Sequence, residues 1–359
     1  MKNFFKLFGI IALTAVIVFG FVACSNGSTD KNDEPKAFDW KMANISYTPD
    51  SNTAITGIAW GGGKYIAVTR GSTSSAILPK IMQSADGINW TEVTPNPFTA
   101  ERIQNIAWSG TTFIAVGRNG EIAFSPDGQI WTLSSNSTTV FGATNSDTVQ
   151  CITWGGSPGK FLAGGSKARM VESTDGDTWT LINDISTTAN SDYINAIVWG
   201  GPSGNQKFIA GTVTGGDGRL FKSSDGTNSS WSEITPLPTL GSSYRGFDTV
   251  IWGGPSGQEK FIAGSEGTGG TGESIMLYST DGESWEAATH PFGSNRIRGI
   301  AFGGGRFVAV GHGGIMAESS DGISWTELVN PLDGIIYAIT YANGKFVAVG
   351  DSGIAYTDY

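Results

Sequence analysis

The chain has 359 residues, among them 52 Gly and 12 Trp, with 39% hydrophobic, 11% aromatic and only 15% charged residues, against roughly 25% charged and about 7% Gly in an average globular chain. This composition excludes a disordered polymer and points to tight turns between packed sheets. The net charge of -10, from 22 Lys plus Arg against 32 Asp plus Glu, excludes a nucleic-acid groove, which needs clustered positive charge to displace counterions.

The first element is an address. Lys2 and Lys6 precede an apolar run from Leu7 to Val22 with no acidic residue, the pattern of a secretory signal over residues 1–23. The run ends in Phe21-Val22-Ala23-Cys24, which resembles a bacterial lipobox and implies lipidation of Cys24. Residues 24–36 are rich in Ser, Asn and Asp and read as a flexible tether. With Cys24 acylated, only Cys151 remains, so no intramolecular disulfide can form. Cys151 lies in an apolar run and reads as a small buried hydrophobe. Loss of Lys2 and Lys6 takes the mature charge from -10 to -12, so membrane attachment rests on the lipid alone. The expected location is the cell envelope, anchored to a bacterial membrane, as a monomer.

From residue 37 onward the chain repeats. An aromatic after an apolar pair recurs at Trp60, Trp108, Trp154, Trp199, Trp252, Phe302 and Tyr341. A Gly-rich turn and a second apolar run follow, for example Tyr65-Ile66-Ala67-Val68. A third run leads into S-x-D-G-x-x-W, with Asp86, Asp127, Asp175, Asp281 and Asp321 as the acidic residue. A sixth copy around Asp225 reaches Trp231 two residues late. Asp-Gly is a turn dipeptide, and each Trp begins a fourth strand. Four antiparallel strands per unit of about 45 residues predict a seven-bladed β-propeller over residues 37–359. The seventh unit ends without a fourth strand, and the segment around Trp40 resembles the missing one. The N-terminal strand is therefore expected to close the last blade.

These residues resemble the Asp-box, or BNR, repeat superfamily of propellers, with six copies of the box. That resemblance implies the fold, and the superfamily spans sialidases and other glycoside hydrolases, sorting receptors and a photosystem assembly factor, so it does not select a function. A sialidase would by resemblance need three Arg on a carboxylate, a Tyr with a Glu partner and an Asp acid. Arg102, Arg118, Arg169, Arg219, Arg245, Arg296 and Arg298, with Tyr193, Tyr244 and Tyr337, supply candidates. The early Arg-Ile-Pro signature is absent, since Arg102-Ile103 is followed by Gln104. The Trp residues and box Asp residues are assigned to the repeat itself. His290 and His312 are the only histidines, and no metal or other cofactor is expected.

Four residues before each inner-strand aromatic stand Thr56, Gln104, Gln150, Asn195, Asp248, Arg298 and Tyr337, all polar. Two residues further on, every strand carries Ile or Val. By strand alternation the two positions share a face, so each strand starts wet and then enters the core. A ring of seven such residues would surround the channel mouth, joined by Arg70, Arg118, His312 and Asp351 just after their second strands. Asp248 and Arg298, in adjacent blades, are candidates for an ion pair. Longer connections at 134–148, 236–247 and 265–274 would rim this face. The expected function is non-catalytic binding or assembly with a protein or glycan ligand on that face, with a sialidase-like or other glycoside-processing enzyme as the alternative.

Overall fold

Gly-rich turns at one end of each repeat and Ser-x-Asp-Gly turns at the same end oblige three successive runs to lie antiparallel, and the computed structural model shows this in every repeat. It describes residues 37–72, 77–182, 185, 192–213, 218–238, 244–267 and 273–358. The signal segment, Cys24 and the tether lie outside the described residues. So do positions 239–243 and 268–272 of two rim connections.

The described strands form an all-β propeller of four-stranded antiparallel units. Five units are separate sheets, two join as one larger sheet through the pairing of Val213 with Gly246, and the order within each but the last is inner to outer along the chain. The inner strands are Ile55–Gly61 (blade I), Ile103–Trp108 (II), Val149–Gly155 (III), Tyr193–Gly200 (IV), Tyr244–Gly253 (V), Ile297–Gly303 (VI) and Ile336–Ala342 (VII). Each packs against the next, and blade VII packs against blade I, which closes the ring. The outer strand of blade VII is Lys41–Met42, paired with Gly353–Asp358 through Lys41–Tyr356 and Met42–Ala355. Both ends of the chain thus share one sheet, which also covers an edge that would otherwise be open to pairing. No helix among the described residues is long and apolar enough to cross a membrane.

The core is divided among the seams. Separate clusters of buried side chains lie between blades, such as Ile66, Val68, Phe98, Ile103 and Phe113 between I and II. Ile58, Tyr65, Val347 and Ile354 fill the seam between VII and I. The recurrent aromatics serve these seams. The Trp199 ring packs tilted against Phe208 of its own blade at 4.5 Å, and its Cβ lies against Gly155 of the preceding blade so closely that a Cβ there would stand 2.1 Å away. The glycine after the aromatic therefore gives the neighbouring aromatic its seat.

The Ser-x-Asp-Gly turns hold the other end. Ser84 Oγ donates to Asp86 Oδ1 at 2.9 Å, the N–H of Gly87 donates to Ser84 Oγ at 2.9 Å, and the N–H groups of Ile88 and Asn89 both donate to Asp86 Oδ1 at 2.8 Å. Gly87 adopts φ +75°, open to glycine at little cost. Trp90 Nε1 donates back to the Gly87 carbonyl at 3.1 Å, so indole and turn stabilise each other. The two backbone bonds to the carboxylate recur at Asp127, Asp175, Asp281 and Asp321, and the indole bond recurs at Trp131 and Trp179. In blade IV the two extra residues alter the turn, and Asp225 accepts from the N–H and hydroxyl of Thr227 while Ser230 joins Ser223.

Candidate functional site at the channel mouth

The face opposite those turns is built by the starts of the inner strands and the ends of the second strands. Backbone bonds such as Arg70 N–H to the Ala54 carbonyl, Arg118 N–H to Arg102, His312 N–H to Arg296 and Asp351 N–H to Ile335 fasten the two together. Arg70, Arg118, His312 and Asp351 therefore stand at the same end as the seven inner-strand residues.

The register explains how those seven are aimed. Blade V slips once near its start, between Tyr244 and Gly246, and every inner strand slips against its second strand at one equivalent place, between Ile55 and Gly57, Ile103 and Asn105, Val149 and Cys151, Ile194 and Ala196, Phe247 and Thr249, Ile297 and Gly299, and Ile336 and Ala338. The residue skipped each time is Thr56, Gln104, Gln150, Asn195, Asp248, Arg298 or Tyr337. All seven are β-bulge residues, released from the ladder and re-aimed by the local bend. This corrects the argument from alternation. Ile55 and Ile58 are both buried although three positions apart, because the bulge resets the period, and Thr56 does not share a face with Ile58.

The side chains divide into two arcs. From blade I through III and IV the bulge residues are uncharged. Thr56 Oγ1 donates across the seam to the Ile103 carbonyl at 2.6 Å. Gln104 and Gln150 are half-buried and make no hydrogen bond among the described residues. Asn195 Nδ2 donates to Asp248 Oδ1 at 2.8 Å, while its own oxygen is buried without a partner.

The second arc, over blades V, VI, VII, I and II, is ionic. Asp248, buried, is gripped in a bidentate fashion by Arg296, with Nε to Oδ2 at 2.9 Å and Nη2 to Oδ1 at 2.7 Å. Arg296 also meets Glu266 at 3.1 Å. Burial opposes ionisation of Asp248, but the nearby Arg298 charge and the Arg296 fork outweigh it and hold the carboxyl below its ordinary range. The expected pair of Asp248 with Arg298 is thus replaced by Asp248 with Arg296. Arg296 precedes its strand and reaches back across the seam, whereas Arg298, on the bulge, turns toward blade VII. There its guanidinium carbon lies 5.6 Å from the Tyr337 ring centroid, and its Nε donates to His312 Nε2 at 3.2 Å. Arg70 approaches the same Tyr337 ring at 4.9 Å, donates to the Tyr337 hydroxyl at 2.5 Å and pairs with Asp351 at 3.1 Å. Arg118 pairs with Glu101 and donates to the Asn145 carbonyl.

Three arginines are therefore matched by four carboxylates: Arg296 with Asp248 and Glu266, Arg70 with Asp351, and Arg118 with Glu101. Arg298 and Arg102 have no carboxylate partner among the described residues. Burial, then the charges of Arg70 and Arg118, lower the pKa of Arg102. Burial and the charge of Arg296 do the same for Arg298 against the pull of Asp248. His312 is depressed to about 4 by burial and by the charges of Arg298 and Arg296. Burial pushes the Tyr337 phenol up despite Arg70. The arc has an excess of positive charge in a chain that is acidic overall.

Arg102, Arg296, Glu101 and Glu266 were not among the mouth residues expected from the inner-strand column. A signal for two of them exists six residues before the aromatic, where Arg102 and Arg296 occupy the same repeat position. Among the other sialidase candidates, Arg169 is committed to Asp147 and the Phe141 carbonyl and Arg219 lies 3.7 Å from Glu233. Tyr193 is exposed, and the side chains of Tyr244 and Arg245 lie outside the described residues. The connection at 134–148 carries a short helix, Ser137–Phe141, that its composition did not suggest. Among the described residues no group of three His, Cys, Asp or Glu is placed to hold a metal ion.

The chain is similar in fold to YCF48 from Cyanidioschyzon merolae, with TM-score 0.61 and 15% identity over 89% of this chain and 98% of that one. It is similar to YCF48 bound to D1 peptide, with TM-score 0.60 and 14% identity over 90% and 97%. It also resembles the computationally designed Ika8 protein, with TM-score 0.53 and 11% identity over 89% and 100%. No family model and no curated protein matches the chain. At these identities the shared property is the β-propeller fold.

Proposed function

We propose that this chain is an exported, lipid-anchored β-propeller that acts as a non-catalytic binding or assembly module, taking at its channel mouth a protein or glycan ligand that presents an anionic group. The observation that carries this reading is the pair of half-buried guanidinium groups, Arg298 and Arg102, left without carboxylates while neighbouring arginines are paired. Holding a cation partly out of water without a counter-ion is costly, and an anionic ligand would offset that cost. The flanking amides of Gln104 and Gln150 add uncommitted donors and acceptors. Similarity in fold to YCF48 bound to D1 peptide is compatible with a protein ligand.

The hydrolase alternative receives less support. Asp248 is held ionised by Arg298 and Arg296, which does not suit a proton donor, and burial raises the Tyr337 phenol instead of activating it. The test is capture of envelope proteins and glycans by the full chain and by an Arg298→Ala/Arg102→Ala variant of equal thermal stability. Capture that depends on both arginines supports the reading, and equal capture by the variant overturns it. Lipid attachment is tested by palmitate labelling that disappears on Cys24→Ser.

A further inference from the structure

The hydrogen bond between Arg298 and His312 has a direction that matters. Arg298 Nε can only donate, so His312 Nε2, 3.2 Å away, must be an unprotonated acceptor. The imidazole is neutral in this arrangement. It sits at the head of the turn His312–Gly314 after the second strand of blade VI. Four charged groups bear on it. Arg298 from the inner strand of blade VI and Arg296 just before it disfavour the imidazolium. Asp248 from blade V and Asp351 from blade VII favour it more weakly. Both carboxylates are already engaged, by Arg296 and Arg70.

Arg298 spends its Nε on this bond and no carboxylate pairs with the group. A guanidinium binds an oxyanion best through two parallel N–H bonds, and one of the two edges suited to this includes Nε. That edge is blocked while Nε points at His312.

We propose that an oxyanion bound at Arg298 draws a proton onto His312, so that ligand binding at the channel mouth is linked to proton uptake. This rests on the anionic-ligand reading above. The proton comes from solvent and adds to Nε2, whose lone pair then stops accepting. Arg298 loses its acceptor and turns Nε toward the ligand, and the new imidazolium faces an anion where it faced an uncompensated cation. Ligand charge and protonation each favour the other, as linkage requires. A His312 pKa raised by one unit on binding corresponds to about tenfold tighter binding at pH values below the free value than at neutral pH.

The experiment uses inorganic sulfate, whose charge is constant over the range titrated, and nitrate, whose charge is constant too, as a second arm to separate tetrahedral from planar oxyanions. His312 and His290 are the only two histidines, so a nitrogen-detected titration of the full chain follows both in one spectrum. In chloride at matched ionic strength His312 is expected to titrate near 4. In saturating sulfate it should titrate at least one unit higher with His290 unmoved, and His312→Gln should flatten the pH dependence of sulfate affinity between pH 4 and 6. Sulfate binding that shifts the Arg298 Nε resonance while leaving the His312 titration unchanged overturns the linkage and leaves the anion site standing. Absence of binding by either anion overturns both. An Arg298→Lys variant, which retains the charge but cannot fork, should lose most of the sulfate-induced shift, and an undiminished shift overturns the proposed role of Arg298.

Discussion

Arg70 of blade I donates to the hydroxyl of Tyr337 in blade VII at 2.5 Å, across the seam where the first and last repeats meet. The same guanidinium holds Asp351, whose other oxygen accepts the N–H of Ile335 at 2.9 Å. One side chain thus ties the ring closure to the mouth. Arg70→Ala leaves the largely buried Asp351 without its cation, and the expected loss of stability is about 1–3 kcal/mol. Tyr337→Phe, which removes one acceptor, should cost less. Urea unfolding of both variants checks the order, and an Arg70→Ala variant as stable as wild type removes the argument.

The N-terminal strand is expected to be indispensable. Phe38 stacks on Trp40 at 6.1 Å and meets Phe346 edge-on at 5.7 Å, and Asn44 bonds to Ile88 and Trp90 of blade I. Trp40→Ala should cost roughly 3 kcal/mol, and cutting the chain after residue 48 should abolish cooperative unfolding. An unchanged melting temperature in the truncated chain would contradict closure by this strand.

A single methyl group tests the packing between blades. In Gly155→Ala the new Cβ would stand 2.1 Å from Trp199 Cβ, so blades III and IV must separate. The expected cost is about 1–3 kcal/mol or more, read as a drop in melting temperature. A neutral result would show that the seam yields freely.

Stability should fall with acid in two windows. The folded pKa of His312 is about 4, below the ordinary 6.5 of an imidazole. Its contribution is present above about 6.5, falls off as pH drops below that value, and is lost as pH passes 4. His290, also depressed by burial, acts in the same direction, so His312→Gln should flatten only part of this slope. The turn carboxylates act lower. The N–H groups of Ile130 and Gln129 hold Asp127 below its ordinary range, so its contribution is present above about pH 4 and lost below. Asp86, Asp175, Asp225, Asp281 and Asp321 are lowered as well, so Asp127→Asn should flatten only part of that lower slope. Denaturant unfolding from pH 2 to 8 checks both windows, and a wild-type chain equally stable at pH 2.5 and 7 excludes them.

Much of the mouth was legible in the repeat. The column from Thr56 to Tyr337 and the group Arg70, Arg118, His312 and Asp351 stand at one end of the ring because repeated spacing places equivalent residues at equivalent heights. The reason offered by alternation was incomplete. Alternation assumes an unbroken ladder, and a bulge costs one residue of register without changing the pattern of polar and apolar letters. Arg102 and Arg296, which the sequence offered only as arginines a sialidase could use, fall outside the mouth column because they lie before their strands, where no strand period applies.

The amino-acid sequence by itself determined the repeat, the strands, the turns and the return of the N-terminal strand to the last blade. Each depends on local chemistry: Gly at positive φ, Asp bonding the next backbone N–H groups, and aromatics at a constant interval. Only the tertiary structure decided which arginine neutralises Asp248 and which two are left over. Those choices depend on distances across the seams and on where the bulges aim each side chain, and neither quantity is written in the order of residues along one strand.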